Sequence, residues 1–581
     1  MTNRLAGTRP AFVMLCQLSV VLSPTLCCGQ EGGFSDEWKN GVVAADHPAA
    51  SEAGVEMLRI GGNAVDAAVA TSFALSVLRP ASCGIGGGGF MVIWDAKKQE
   101  AVALDYRERA PAAARADMFA DVNGDSLPES ASVRGGRAVA VPGTVAGLCF
   151  AAKEYGSLPL ATLLQPAIRL ALYPAPVDEH GASVANSTLE KLKKNRGYVD
   201  RFAELRRLYL NDGAVSHVGD KTQSPQWRVL YRIAKSGPAA FYEGEVARAI
   251  VDTVNRHGGI ISMEDLRDAK PIVRKPIKGQ FHATTILSMP PASSGGIALL
   301  QTLQSLEQWE ELHGRQLFDL GHNSARYVHV VSEAMKHAFA DRAEFLGDSD
   351  FVDVPTERLL DVGYAAEIAG RIRSNETLPD DEYGRFFSSD DAGTSHFSVI
   401  DKDGNAVACT ETINLTFGSF VVVPEFGIIL NNEMDDFAAR PGEPNAFGLI
   451  QSHANRVEPG KKPLSSMTPT IAVRNGRAVF SSGASGGPRI ISSTIQAMLN
   501  HIIFRMKPSD AVSAPRFHHQ WFPNRLYLES KLASSVGDQL KKFGHNVQPS
   551  GSLAANQSVS AEGGRLYGGS DPRKHGSPAG Y

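Results

Sequence analysis

The 581-residue sequence predicts a layered fold that mixes helices and sheets, α/β or α+β in class, and three observations carry that expectation. Its composition, 43% hydrophobic and 21% charged, is that of a globular protein able to bury a large core. Runs of helical and of strand character alternate along the chain without an internal repeat. Residues 393–414, GTSHFSVIDKDGNAVACTETIN, read as a β-hairpin: two strand-like runs flank an Asp-Gly turn signal.

The elements follow in chain order. Residues 63–78 (NAVDAAVATSFALSVL) form an Ala-rich helix, apolar on most faces and stopped by Pro80. Residues 90–95 and 101–106 read as strands, and 143–171 as mainly helical. After the loop PPASSGG (290–296), residues 297–312 make an amphipathic helix. Residues 371–393 are the most polar stretch, rich in Asp and Ser and poor in aliphatics, which is the composition of an exposed linker. Strands are expected to dominate from Thr394 to Ser482, with helices from Arg489 onward.

The N-terminus differs in kind. Arg4 and Arg9 precede an apolar run at 11–22, then Pro24 and small residues around Cys27, Cys28 and Gly29. That order predicts a secretory signal or an N-terminal anchor over residues 1–29, the run being short for a bilayer span. The protein is therefore expected to be exported: periplasmic, extracellular or tethered at its N-terminus. Three of six cysteines lie in that segment, and Cys83, Cys149 and Cys409 are too sparse and odd in number for a disulfide framework. A net charge of −4, with no basic run and no paired Cys-x-x-Cys, excludes nucleic-acid binding.

Several short motifs invite chemical readings. GIGGGG (84–89) fits G-x-G-x-x-G, but a helix precedes it and a strand follows, the reverse of a nucleotide fingerprint, so its glycines read as a packing or substrate loop. GASGG (483–487) fits G-x-S-x-G between a strand and a helix, and Asp510 and His518 follow Ser485 in triad order. The other use of the same turn is for the N–H groups of Gly486 and Gly487 to meet an oxyanion. His518 and His519 are neighbours on an extended stretch and face opposite ways, so they read as structural rather than as ligands of one metal. NNEMDDF (431–437) is acidic without EF-hand spacing and could hold a substrate ammonium. Asn186, Asn375, Asn414 and Asn556 open glycosylation triplets, and Asn414 is badly placed to carry a glycan.

In the hairpin, if Ile400 faces Ala406 then Thr394 falls opposite Thr412, on the face that Asn414 also shares. Ten motifs in order then identify a family. GGNAVDAAVA (61–70), SCGIGGGGFM (82–91), LDYRERAP (104–111), PPASSGG, TSHFSVIDKDGNAV (394–407), NNEMDDF, PLSSMTPT (463–470), GASGGPRII (483–491), APRFHHQW (514–521) and SDPRKHGSPAGY (570–581) resemble the γ-glutamyltranspeptidases. These are N-terminal-nucleophile hydrolases that cut themselves in two. The resemblance implies a four-layer αββα sandwich of two stacked antiparallel sheets. It also implies self-cleavage at Gly393-Thr394 into a large subunit (30–393) and a small one (394–581) that stay together as a heterodimer.

The resemblance further assigns roles. Thr394 is the nucleophile and Thr412 its neighbour; Gly486 and Gly487 form the oxyanion hole, which leaves Ser485 a turn residue. Arg107 would clamp the substrate α-carboxylate with Ser465 and Ser466, while Glu433, Asp436 and Asn414 would take its α-ammonium, cation and anions standing apart. The chemistry is coherent. A mid-chain threonine lacks a base, whereas cleavage frees an α-amine of pKa near 7.7–8.0 that can deprotonate its own hydroxyl. Gly393 permits the strained backbone that such cleavage needs. The substrates implied are glutathione and other γ-glutamyl compounds, with water, amino acids or dipeptides as acceptors and no metal or organic cofactor. The rival within the fold is a cephalosporin or glutaryl acylase, against which the Glu433/Asp436 pair argues.

Overall fold

Two seven-stranded antiparallel sheets form the centre of the computed structural model, which describes residues 37–119, 131–173, 175–379, 382–383, 393–438 and 452–581. The first runs Ala579–Gly580, Gly41–Ala45, Ser395–Asp401, Ala406–Thr412, Gly88–Asp95, Glu100–Asp105, Ile272–Arg274. The second runs Glu37–Trp38, Arg565–Ser570, Ala555–Glu562, Arg477–Ser485, Thr470–Arg474, Thr284–Ser288, Ile277–Phe281.

Alternation along single strands sets the layers. Val42 and Ala44 join Ile400, Ile471, Val473 and Val559 in one core between the sheets. Val43 and Ala45 turn the other way, onto the helices Pro48–Arg59 and Ala64–Leu78. On the far side, Phe281, Ile286, Ala472 and Phe480 pack on Gly295–His313, Ala325–Phe345 and Arg489–Ile502. The order is helix, sheet, sheet, helix, the four-layer sandwich expected. Part of the inter-sheet layer is polar: His396 bonds Thr410 Oγ1 at 2.8 Å and Ser398 Oγ at 3.1 Å, and Gly483 lies where any Cβ would sit 2.3 Å from the His396 ring.

The expected helix at 63–78 is Ala64–Leu78, with Asn63 and Asp66 forming a reciprocal cap. The hairpin has the expected register, Ile400 opposite Ala406 and Ser395 opposite Glu411. Its turn is organised by Asp401, whose carboxylate accepts the N–H groups of Asp403, Asn405 and, from the adjacent helix start, Ala64. GIGGGG is a packing loop: a Cβ on Gly86 or Gly87 would lie 2.1 Å from the Ile429 carbonyl oxygen or 2.0 Å from that of Thr412.

One expectation fails. Strands do not dominate between Thr412 and Thr470; the described residues there hold two-residue strands at Val422–Val423 and Ile428–Ile429 and 3-10 turns such as Glu433–Asp436. Polar side chains take over the backbone's bonding: Asn431 binds the carbonyls of Gly86 and Ala140, and Asn432 accepts the Leu415 N–H. Residues 1–29 and about half of the polar linker, 380–381 and 384–392, lie outside the described residues. Among the described residues no helix is long and apolar enough to cross a membrane.

Candidate active site

Arg107, Thr394, Thr412, Asn414, Glu433, Asp436, Ser465, Ser466 and Gly487 line one cavity at the ends of two inner strands of the first sheet. Gly486 stands one residue outside that lining.

Thr394 enters the cavity from the start of the strand Ser395–Asp401, and the residue before it takes a left-handed backbone that a side chain would strain. Gly393 has φ +74°, and a Cβ there would lie 2.5 Å from the Asn414 carbonyl oxygen, so only glycine fits. Thr394 Oγ1 is 2.6 Å from the Gly393 carbonyl oxygen and 3.3 Å from Thr412 Oγ1. Thr412 Oγ1 donates to the same carbonyl at 2.9 Å and accepts the Asn414 N–H at 2.8 Å. The Asn414 backbone, at φ +72°, turns its amide onto the Asn432 carbonyl at 3.0 Å.

Behind the hydroxyl lies a cation that sequence reasoning missed. Lys574 Nζ donates to the Thr394 carbonyl oxygen at 2.5 Å, pairs with Asp46 at 2.6 Å and reaches Ser485 Oγ at 3.2 Å. The tail motif around it attracts notice as sequence, but nothing local ties it to Thr394.

Across the cavity, Arg107 bonds Glu433 through Nη1, Asp436 through Nη2 at 2.5 Å and the Pro463 carbonyl through Nε at 3.2 Å. The sequence reading kept these charges apart; here they touch, because buried ions of opposite sign each need a partner. Burial works against the Arg107 charge, yet Glu433 and Asp436 outweigh it and raise its pKa. Burial lifts the carboxyls of Glu433 and Asp436, opposed by Arg107, and pushes neighbouring Glu108 up to about 7.

Each of the two serine hydroxyls accepts a hydrogen bond. Ser465 Oγ accepts the Met467 N–H at 3.1 Å, and Ser466 Oγ accepts from Arg342 at 3.3 Å. Gly486 and Gly487 have φ +133° and +54°, and their N–H groups bond to none of the described residues. The site thus combines a hydroxyl on the Gly393 carbonyl, free backbone donors and a buried ion cluster.

The Ser485 triad does not form. His518 is bonded to Ser492 Oγ at 2.8 Å and Gln520 Oε1 at 2.9 Å, burial lowers its pKa to about 3, and Asp510 is exposed. His519 bonds Asn524. For metals, His329, Glu333 and His545 are the group among the described residues with ligand atoms within 4.8 Å of one another. Lys336, Thr377 and Tyr383 already hold Glu333, and the facing His329 and His545 nitrogens are 2.7 Å apart, less than the roughly 3.3 Å between two ligands of a tetrahedral ion. The group is a hydrogen-bonded cluster.

Known proteins resemble this chain over nearly its whole length. The sequence model of the family described as Gamma-glutamyltranspeptidase matches residues 50–581. The chain is 41% identical over 541 residues to a glutathione hydrolase proenzyme of Escherichia coli (strain K12), covering 92% of this chain and 90% of that protein. It is 38% identical to glutathione hydrolase 3 of Arabidopsis thaliana, covering 86% and 76%. Among solved structures, a cephalosporin acylase from Bacillus halodurans matches with TM-score 0.83 at 28% identity, covering 97% of this chain and 99% of that one. The Helicobacter pylori gamma-glutamyltranspeptidase matches with TM-score 0.52 at 38% identity, covering 57% and 92%.

Proposed function

Because the chain belongs to the gamma-glutamyltranspeptidase family, we propose that it is a self-processing glutathione hydrolase and γ-glutamyltransferase in which Thr394 is the nucleophile of both maturation and turnover. The observation that carries this is the pair of hydroxyls, Thr394 and Thr412, on the Gly393 carbonyl, in the cavity that also holds Arg107, Glu433 and Asp436.

In maturation, Thr394 Oγ attacks the Gly393 carbonyl carbon and the Thr412 hydroxyl stabilises the developing oxyanion. The C–N bond breaks, its nitrogen takes the hydroxyl proton, and the Gly393 acyl group rests on Thr394 as an ester. Water cleaves the ester, leaving a Gly393 carboxylate and a free Thr394 α-amine. The resulting large (30–393) and small (394–581) subunits would remain joined as a heterodimer. Strand Ser395–Asp401 lies beside Gly41–Ala45, and Ala406–Thr412 beside Gly88–Asp95, so backbone ladders cross between the two pieces.

In turnover, the α-amine takes the hydroxyl proton and Oγ attacks the γ-carbonyl of glutathione or another γ-glutamyl compound. The N–H groups of Gly486 and Gly487 receive the oxyanion, the proton passes to the leaving amine, and water, an amino acid or a dipeptide accepts the acyl group. The substrate's α-carboxylate exchanges into the Arg107 pairing with Ser465 and Ser466 as donors. Its α-ammonium takes over Glu433 and Asp436, beside Asn414, so that no buried charge loses a partner.

The similarity to a cephalosporin acylase raises one rival, cleavage of glutaryl-type amides whose acyl group lacks the α-ammonium. Two cavity carboxylates on Arg107 argue against it. The test is turnover of γ-glutamyl anilide beside glutaryl anilide, with and without a dipeptide acceptor. Faster use of the γ-glutamyl substrate, raised by the acceptor, is expected; preference for glutaryl anilide would overturn the reading. Export, to the periplasm, the cell exterior or a membrane anchor, is supported by the charge and apolar order of residues 1–29.

A further inference from the structure

Arg342 is a buried cation that no carboxylate among the described residues pairs with. It lies in the helix Ala325–Phe345, about fifty residues before the nucleophile, and is 1% exposed. Its Nε donates to Ser294 Oγ at 2.9 Å and its Nη2 to Ser466 Oγ at 3.3 Å, both neutral groups, while Nη1 bonds to nothing described. Burial pulls its pKa down to about 10, with Asp436 the charge that opposes the shift. A guanidinium kept in such a place is costly unless it serves an anion.

The surroundings show where that anion would be. Ser294 passes the contact on: its hydroxyl donates to the Ser465 carbonyl oxygen at 2.6 Å and its N–H to the same atom at 2.9 Å. Ser293 and Ser465 form a β-bridge, and a Cβ on Gly295 would lie 2.1 Å from Thr468 Oγ1. The loop PPASSGG, Arg342 and the Ser465-Ser466 turn are thus one packed unit. A serine hydroxyl has a single proton. Because Arg342 already donates to Ser466 Oγ, that proton is turned away from the guanidinium and is available to a ligand in the cavity that Ser466 lines with Arg107.

We infer that Arg342 is a positioning residue that fixes the Ser466 hydroxyl as a donor to the substrate's α-carboxylate and adds a second positive charge behind it. The inference rests on the γ-glutamyl reading above. It differs from a plain structural tie between helix and loop in one respect: its effect depends on the carboxylate of the ligand.

The test uses two competitive inhibitors of γ-glutamyl anilide turnover that differ by that group, L-glutamate and 4-aminobutyrate, with the parent protein, Arg342→Met and Arg342→Lys. Loss of one charge-assisted donor predicts that Arg342→Met weakens inhibition by glutamate about tenfold and by 4-aminobutyrate less than about twofold. Arg342→Lys keeps the charge and should lie between. Equal weakening of both inhibitors, or of neither, would overturn the inference. If the Met variant does not mature, the Lys variant is read by the same ratio, and a ratio unchanged from the parent overturns it equally. No turnover of γ-glutamyl anilide by the parent would overturn the γ-glutamyl reading and this inference with it, whereas turnover with an unchanged ratio overturns this inference alone.

Discussion

The Thr412 hydroxyl donates to the Gly393 carbonyl oxygen at 2.9 Å, across the peptide bond that maturation would break. Its oxygen is fixed from the other side by the Asn414 N–H, so the proton points at the carbonyl. Thr412→Ala should therefore slow self-cleavage by about 10²–10³, the loss typical of one oxyanion donor. Thr412→Ser should retain most of the rate. Fragment formation followed by gel checks this, and cleavage of Thr412→Ala at the parent rate would contradict it.

Lys574 predicts a change in pH profile. Its Nζ lies 2.5 Å from the Thr394 carbonyl oxygen, beside the α-amine that cleavage frees. A neighbouring cation disfavours the protonated amine and lowers its pKa. Lys574→Met should therefore raise that pKa, moving the acidic limb of kcat/KM upward by about one pH unit from wherever it lies in the parent. An unmoved limb in a matured variant would show that the charge does not reach the amine.

Arg107 uses three donors, on Glu433, Asp436 and the Pro463 carbonyl. Arg107→Lys keeps the charge and loses the planar fork. KM for γ-glutamyl anilide should rise at least about tenfold, as expected for a lost charge-assisted bond. Self-cleavage should be untouched, since no substrate carboxylate takes part in maturation. Equal KM values would remove Arg107 from substrate binding.

Glu411 gives a stability prediction. Burial pushes its carboxyl up to about 7, against the hydrogen bonds from Ser72 and Tyr106. The unfolded chain releases that proton near pH 4.3. Between those values the folded state holds the proton and the unfolded state does not, so this group makes stability fall as pH rises from about 4.5 to 7. Above the window the cost reaches an upper bound of about 4 kcal/mol. Glu411→Gln, neutral throughout, should melt a few degrees higher than the parent at pH 8 and about equally at pH 5. Parallel melting curves for the two proteins across that range would contradict the assignment.

Features governed by local rules were legible in the sequence. The hairpin register follows from two-residue alternation and an Asp-Gly turn, and the helix Ala64–Leu78 from its Asn63 cap and Pro80 stop. Thr394 facing Thr412 came out of that register. Arg342 and Lys574 were not legible, because their site contacts lie 124 and 180 residues away in sequence and no periodicity reports on such distances. The contact between Arg107 and its two carboxylates was missed for another reason. Their roles toward a substrate separate them, while the energetics of burial draws them together.

The central claim is that one oxygen, Thr394 Oγ, carries both maturation and turnover. Its most direct test is Thr394→Ala beside the parent, with the mass and N-terminal residue of the smaller fragment read alongside γ-glutamyl anilide hydrolysis. The parent should yield a fragment beginning at Thr394, and the variant should show neither fragment nor turnover. Ser485→Ala should still cleave itself. A Thr394→Ala protein that remains active, or a Ser485→Ala protein that is processed yet inert, would contradict the account.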